Sequence, residues 1–298
     1  MKNKLGLDRN IPEAVRREVR RRSGYACVIC RELICEYEHI DPEFSNASTH
    51  DPENICLLCP NCHSRKTRKR LTATQVREAY LRVNNSPHPP PLHQMDFSGQ
   101  IRIILGNSIF DYIPAGSPIL EYDGNPILCV NYVEDDRFGG FRPSISGELR
   151  DKNGRLLCSI IDNSITFSKD SFDIYTVGPK IVVKSSLHKI SVIFTILPPN
   201  GLVINRLIMK FGEIEFDFDD NFGCKIPNIN GDNEHWSIPE LHSSGANSAI
   251  SYISDRSQWL GERLYLGGEQ GCTIPHTGLT FAKGASSTLI KKIAGKLS

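Results

Sequence analysis

The stretch Cys56-Leu-Leu-Cys-Pro-Asn-Cys-His63 places three thiols and one imidazole within eight residues. Thiolates and imidazoles are the ligands that zinc prefers, and a structural zinc site takes four of them in a tetrahedron. This stretch could therefore supply one complete site, or its side chains could be divided between two sites. The sequence around it favours the division.

Cys27 and Cys30 form one Cys-x-x-Cys pair, and Cys59 and Cys62 form another, with 28 residues between the two pairs. Each pair can occupy one edge of a tetrahedron, so that two pairs complete a structural Zn²⁺ site. The spacing therefore predicts that these four thiols bind structural zinc. Cys35 and Cys56 then remain as small buried side chains that pack in the core.

This division leaves His63, which directly follows the last cysteine and would point to another side of the helix that begins there. Glu38 and His39 on one predicted strand, and Asn54 on the next, are the candidates to meet it. Two short strands and a helix around one cation form the ββα-metal arrangement. His50, in the polar loop between the strands, is expected to face solvent.

The strings RREVRRRSGYACVIC, YEHI and DPENICLLCPNCHSRK occur in this order and resemble the HNH endonucleases with a four-cysteine zinc knuckle, over about residues 11–70. The resemblance implies that His39 is the general base that takes a proton from water. It implies that Glu38 and His63 hold one catalytic Mg²⁺ or Mn²⁺. Asn54 would orient the loop that carries His39, or touch the metal. Glu38 stands where the family often has His or Asp, and its carboxylate still suits a hard cation.

Basic residues are concentrated at the front of the chain. Residues 1–85 hold 16 Lys and Arg against 11 Asp and Glu, a net charge of +5, whereas the remainder holds 19 against 23, a net charge of −4. This asymmetry indicates that the front segment binds a polyanion, namely double-stranded DNA. The side chains expected to contact its phosphates are Arg16, Arg17, Arg20, Arg21, Arg65, Lys66, Arg68 and Lys69.

The sequence changes character in residues 84–96, where NNSPHPPPLHQ contains four prolines. This composition predicts a stiff linker between an HNH domain at 1–83 and a larger domain at 97–298. In the larger domain, runs of β-branched and aromatic residues alternate with turn signals such as Asn153-Gly154 and Asn200-Gly201. The predicted fold class is therefore α+β. A small zinc-stabilised ββα-metal domain precedes an all-β domain, which is an antiparallel sandwich or barrel, with a β-solenoid as the alternative.

The composition limits the location of the protein. No run of 18 or more apolar residues is present, and the basic N-terminus has no apolar signal segment, so we expect a cytoplasmic protein without a membrane partner. Six of the ten cysteines lie between Cys27 and Cys62, which is typical of metal ligation in a reducing compartment.

The hypothesis for the whole chain is a metal-dependent DNA endonuclease that acts as a bacterial anti-phage defence or restriction effector. Contacts with DNA phosphates do not distinguish one base sequence from another. The β domain would therefore have to control or target cleavage. Three roles are open for that domain: it could bind an activating ligand, bind a protein partner, or join copies of the chain into a homo-oligomer. The alternative is a catalytically idle HNH-derived module that binds DNA or protein. A delivered antibacterial toxin is a third hypothesis, which we favour least.

Overall fold

The structure, a computed structural model, describes residues 2–85, 87–122, 125–136, 139–211, 214–221 and 223–227, and the short strands at 235–238, 242–244, 250–253, 272–273 and 279–282. The chain forms two compact units. The front unit combines Met1–His93 with Thr166–Lys189, and the β unit combines Gln94–Ile165 with Ile190–Ser298. No helix in the described residues is long and apolar enough to cross a membrane.

The described helices are α1 (Glu13–Arg22), α2 (Pro60–Thr67) and α3 (Ala73–Asn85), with one 3₁₀ turn at Phe44–Asn46. The strands, in chain order, are β1 (Glu36–His39), β2 (Ile55–Leu58), β3 (Leu92–Gln94), β4 (Arg102–Leu105), β5 (Ser108–Asp111), β6 (Ser117–Tyr122), β7 (Asn125–Asp135), β8 (Gly140–Arg150), β9 (Leu156–Ile161), β10 (Ser164–Phe167), β11 (Asp173–Val177), β12 (Lys180–Ser186), β13 (Lys189–Leu197), β14 (Gly201–Phe211), β15 (Ile214–Asp219), β16 (Gly223–Pro227), β17 (His235–Ile238), β18 (His242–Ser244), β19 (Ile250–Ile253), β20 (Cys272–Thr273) and β21 (Leu279–Ala282).

The centre of the front unit is a hairpin followed at once by a helix. β1 and β2 pair antiparallel, with Glu38 opposite Cys56. Every residue of β2 is buried, because the strand is packed among the other apolar side chains of the unit. Cys59 caps α2, and Pro60 occupies the first helical position, where a missing N–H costs nothing. The ββα order predicted from the sequence is confirmed.

The helix α1 docks through Val19 and Arg20, which are both buried. The Arg20 guanidinium donates to both carboxylate oxygens of Asp173 on β11, at 2.8 and 2.6 Å. It also donates to Glu13 and to the Tyr37 hydroxyl, at 2.7 Å each. The assignment of Arg20 to a DNA phosphate is therefore corrected. The hairpin of β11 and β12, about 150 residues further along the chain, covers this side of α1 and takes the arginine out of solvent.

The structure differs from the predicted division of the chain at two places. The segment expected to be a spacer folds onto the first cysteine pair, because Leu92 exchanges backbone hydrogen bonds with Arg31 and Leu33 at 3.0 and 2.9 Å. His93 reaches Glu32 at 2.9 Å. In addition, residues 166–189 belong to the front unit rather than to the β unit.

The β unit consists of antiparallel meanders extended by parallel strands. β6 to β9 form one meander, which β19 extends through a parallel pairing with β6. β13 to β17 form another, and β4 pairs parallel with β14. Phe194, Phe216 and Phe218 are fully buried in it. The described strands form open sheets and no closed barrel, which is consistent with the predicted sandwich. Residues after 282 lie outside the described part of the predicted domain.

The buried pair of Arg20 and Asp173 leads to a stability prediction. Asp173→Ala leaves a buried guanidinium without its main counterion, so we expect the front unit to lose about 3–5 kcal/mol of stability. The control is Glu18→Ala, which removes the partly exposed partner of Arg21 and Arg22 and should cost less than about 1 kcal/mol. Hydrogen exchange across α1 and β11 measures both losses locally. Equal protection in the two variants would contradict the prediction.

Candidate active site

The four thiols of the two Cys-x-x-Cys pairs come together in the front unit. The Sγ atoms of Cys27, Cys30, Cys59 and Cys62 all lie within 4.8 Å of one another, and they form a group that could hold a metal ion. Cys30 lies 3.6 Å from Cys59 and 3.8 Å from Cys62, between sulfur atoms. Four convergent thiols are the donor set of a structural zinc site, so the residues present fit that ion.

A fifth thiol lies beside this cluster. A hydrogen bond from Cys35 lowers the pKa of Cys27 to about 4 and raises the pKa of Cys35 itself. Burial raises the pKa of Cys30 to about 11 and also raises that of Cys62. Metal ligation requires thiolates, so binding of zinc would release protons from Cys30 and Cys62. Cys35 therefore contacts the cluster, whereas Cys56 is a buried thiol of the core.

Two carboxylates and one imidazole meet at a cleft of about 410 Å³ on the front unit. Glu36 and Glu38 are two residues apart on β1, and alternation along a strand places them on the same face. His63, in the first turn of α2, lies between them. Its Nε2 is 2.8 Å from Glu38 Oε2, and its Nδ1 is 3.1 Å from Glu36 Oε2. Glu36 is a member of this group that the sequence analysis missed, although its i, i+2 spacing from Glu38 indicates a shared face.

These donor atoms suit a hard divalent cation. Glu38 Oε2 and His63 Nε2 are the two atoms that could bind one such ion. Glu36 contacts Nδ1, the other nitrogen of the same ring, and would orient His63 rather than share its cation. Carboxylate oxygens with one imidazole are also suitable ligands for Mn²⁺. The structure thus brings together Glu38 and His63, which the sequence assigned to one cation.

Lys66 lies one helical turn after His63 and points into the same group. Its ammonium contacts Glu38 Oε1 and lies 3.4 Å from the backbone oxygen of His39. Only 9% of its side chain is exposed. Lys66 was expected to contact a DNA phosphate from solvent, and the structure instead places it on the carboxylate that would hold the cation.

His39 ends β1 at the edge of the cleft and is largely buried. Its Nε2 lies 3.3 Å from Nδ1 of His50, whose Nε2 lies 2.8 Å from the backbone oxygen of Asp8. Burial lowers the pKa of His39, and the neighbouring His50 lowers it further. A lowered pKa keeps the imidazole neutral at neutral pH, as a general base requires. His50 was expected to face solvent, but it is part of the site. Only its loop position was visible in the sequence.

Asn54 stands at the base of the loop that links β1 and β2. Its backbone oxygen accepts from Ile40 N–H at 2.8 Å, directly after His39. Its side-chain amide donates to Asp51 at 2.7 Å and accepts from Arg77 at 2.6 Å. These contacts favour the orienting role of Asn54 over direct contact with a metal.

The basic side chains are distributed unevenly around the cleft. Arg9 and Arg16 line it, with Arg9 over the Phe44 ring at 5.7 Å and Arg16 over the Tyr37 ring at 6.0 Å. Five others do not line it: Arg17 lies over Phe172, Arg21 is paired with Glu18, and Arg65, Arg68 and Lys69 are exposed at or after α2. The sequence analysis missed Arg9, because an isolated arginine before the first helix carries no pattern.

Comparison with known families identifies this arrangement. Residues 27–69 match the HNH endonuclease family. The HNH segment contains both cysteine pairs, the β1–β2 hairpin and the start of α2 with His63. No curated protein and no solved structure matches the chain. The HNH match therefore bears on the front unit and indicates a nuclease-type function acting on nucleic acid.

The division of the cysteines leads to a prediction about metal content. Cys59→Ser removes one thiol of the four-thiol cluster, while the serine hydroxyl can still cap α2, so we expect loss of bound zinc and, as a consequence, unfolding of the front unit. Zinc per chain, measured by elemental mass spectrometry, tests the first effect, and the melting temperature tests the second.

Cys56→Ala is the matched control, because Cys56 is equally buried and belongs to the same stretch. We expect this variant to keep its zinc. Loss of zinc in Cys56→Ala together with retention in Cys59→Ser would show that the ligands are divided differently.

Proposed function

We propose that the front unit is a metal-dependent endonuclease that hydrolyses phosphodiester bonds of double-stranded DNA. The observation that carries this proposal is the convergence of Glu38, His63 and His39 on one cleft, within the segment that matches the HNH endonucleases. A cation site next to a buried neutral imidazole is the combination that phosphodiester hydrolysis requires.

Each side chain has a distinct task in this proposal. Glu38 and His63 Nε2 would hold Mg²⁺ or Mn²⁺, Glu36 would orient His63 through Nδ1, and the four thiols would hold structural Zn²⁺. The catalytic cation, when bound, supplies positive charge to the scissile phosphate and the leaving oxygen. His39 takes a proton from the attacking water, and burial keeps it ready to do so. The side-chain amide of Asn54, which bonds to Asp51 and Arg77, would fix the base of the loop that follows His39.

DNA binding would rely on the arginines around the cleft. Arg9 and Arg16 line it, and Arg65, Arg68 and Lys69 add exposed positive charge at α2. These side chains neutralise phosphates, so affinity should fall steeply with salt. Contacts of this kind position the duplex without reading its bases.

For the whole chain we propose an anti-phage defence or restriction effector. The support is indirect: a nuclease that binds mainly through phosphates needs a second element to restrain or target it, and the β unit is the larger remaining part of the chain. This unit would bind an activating ligand or a protein partner, or join copies of the chain. Cleavage by the full-length protein in the presence and absence of phage-infected cell extract would test the restraint.

A second function is favoured by one observation. Lys66 holds a positive charge on Glu38, where the catalytic cation would bind. A lysine that permanently replaced the cation would leave an HNH-derived module that binds DNA or protein without cutting it. The two functions differ in whether Glu38 accepts a divalent cation.

The first prediction of the proposal concerns His39. His39→Ala removes the general base, so we expect plasmid cleavage with Mn²⁺ to slow by about 10²–10⁴-fold. Zinc content and melting temperature should stay unchanged, because His39 is not among the four clustered thiols. His188→Ala is the control, since His188 is an exposed histidine of the same unit. Cleavage by His39→Ala at the rate of the control would exclude His39 as the base.

A further prediction separates the two functions. Lys66→Met removes the charge that competes for Glu38, so we expect Mn²⁺ to bind several-fold more tightly, as measured by titration calorimetry. Lys69→Met, which removes an exposed charge of the same type, should change Mn²⁺ affinity little. Binding of Mn²⁺ by Lys66→Met but not by the wild-type chain would support the idle module. Tight binding by both would support the nuclease.

A further inference from the structure

His39 is the first of three groups that are linked in series: His39, the imidazole of His50 and the backbone oxygen of Asp8. The backbone oxygen of Asp8 can only accept a hydrogen bond, so the His50 Nε2 that lies 2.8 Å from it must carry the hydrogen. A neutral His50 then has its lone pair on Nδ1. This atom faces Nε2 of His39 at 3.3 Å. The hydrogen in that contact must therefore come from His39.

We propose that His50 is a positioning residue that holds the proton of His39 on Nε2 and leaves Nδ1 as its basic atom. A neutral imidazole carries one proton, so fixing it on one nitrogen frees the lone pair of the other. In the hydrolysis proposed above, the proton of the attacking water passes to Nδ1 as the water oxygen bonds to phosphorus and the 3′-oxygen leaves. The Nε2 proton stays in the hydrogen bond to His50. The catalytic consequence rests on the proposed nuclease function, whereas the tautomer does not.

The loop that carries His50 is held in place from two sides. The Phe44 ring lies 5.4 Å from the ring of His39 and 6.4 Å from that of His50, nearly parallel to the latter. The side-chain amide of Asn3 donates to the backbone oxygens of Phe44 and Ala47, at 2.5 and 2.7 Å. The segment before α1 therefore fixes the loop through Asn3 and fixes His50 through Asp8.

Three substitutions at His50 separate its two hydrogen bonds. Asn places an oxygen at the position of Nδ1, so His50→Asn keeps an acceptor for His39 but gives up the donor to Asp8. Gln reaches the position of Nε2, so His50→Gln keeps the donor and lacks the acceptor. His50→Leu lacks both and retains apolar bulk beside Phe44. If His50 only packs, His50→Asn and His50→Gln should have similar effects on the His39 tautomer and on cleavage. If His50 positions His39, the two variants should differ.

The tautomer can be measured without any activity. In ¹⁵N–¹H correlation spectra of the histidine-labelled full-length chain at neutral pH, we expect His39 to carry its proton on Nε2. The spectrum of His50→Leu should show a mixture of the two tautomers, and that of His50→Asn should show the wild-type state. A proton on Nδ1 in the wild type, or a spectrum of His39 that is indifferent to His50→Leu, would overturn the inference.

Kinetics of plasmid cleavage then test the consequence. We expect His50→Gln and His50→Leu to lower kcat by about 10–100-fold with KM unchanged, because the base is misaligned rather than lost. His50→Asn should recover about tenfold relative to His50→Leu. The Nε2 tautomer in a wild-type chain that does not cut would refute the nuclease function and leave the positioning intact. Equal cleavage by the Asn, Gln and Leu variants would refute the positioning and leave the nuclease function intact.

Discussion

The convergence of four thiols is the constraint on which the front unit depends. It joins the turn at Cys27 and Cys30 to the start of α2, where Cys59 also caps the helix. Cys62 and His63 are adjacent on that helix and face different partners. The thiol of Cys62 is buried in the cluster, whereas the imidazole of His63 faces the carboxylates of β1. The position of the cleft is therefore set by the geometry of the cluster.

The register of the hairpin is the second requirement. β1 and β2 pair with Glu38 opposite Cys56, so the fully buried β2 anchors the strand that carries Glu38 and His39. A shift by one residue would turn every side chain of β1 to the opposite face. The cluster of thiols fixes the position of α2, which carries His63. The buried strand β2 fixes the position of β1, which carries Glu38, and together these two constraints place His63 next to Glu38.

The sequence predicted the parts of this site that depend on local spacing. The cysteine pairs, the ββα order and the placement of Glu38 near His63 follow from ligand chemistry and from short strands next to a helix. Arg20 and Lys66 were misjudged because their partners lie across the fold: Asp173 is far away along the chain, and Glu38 precedes Lys66 by a strand and a loop. His50 was missed for the same reason. The charges of Arg20 and Lys66 and the loop position of His50 suggested that these side chains face solvent. Their actual neighbours become visible only in the folded structure. In the β unit, turn signals predicted antiparallel strands, whereas the parallel pairing of β4 with β14 has no local signature.

The two chain segments that make up the front unit determine how the proposed control by the β unit can be tested. The chain passes between the two units at residues 93/94, 165/166 and 189/190, because the hairpin of β11 and β12 returns to the front unit. A fragment that ends in the proline-rich segment would lack Asp173 and the hairpin that covers this side of α1. It would lose the buried ion pair of Arg20 with Asp173 and the hydrogen bonds from the Tyr25 hydroxyl to the backbone oxygens of Ser171 and Phe172, which stabilise the front unit. Inactivity of such a fragment would therefore report a damaged fold rather than the loss of a targeting element. Restraint or targeting by the β unit has to be sought in the full-length chain, through substitutions in β strands that make no contact with α1.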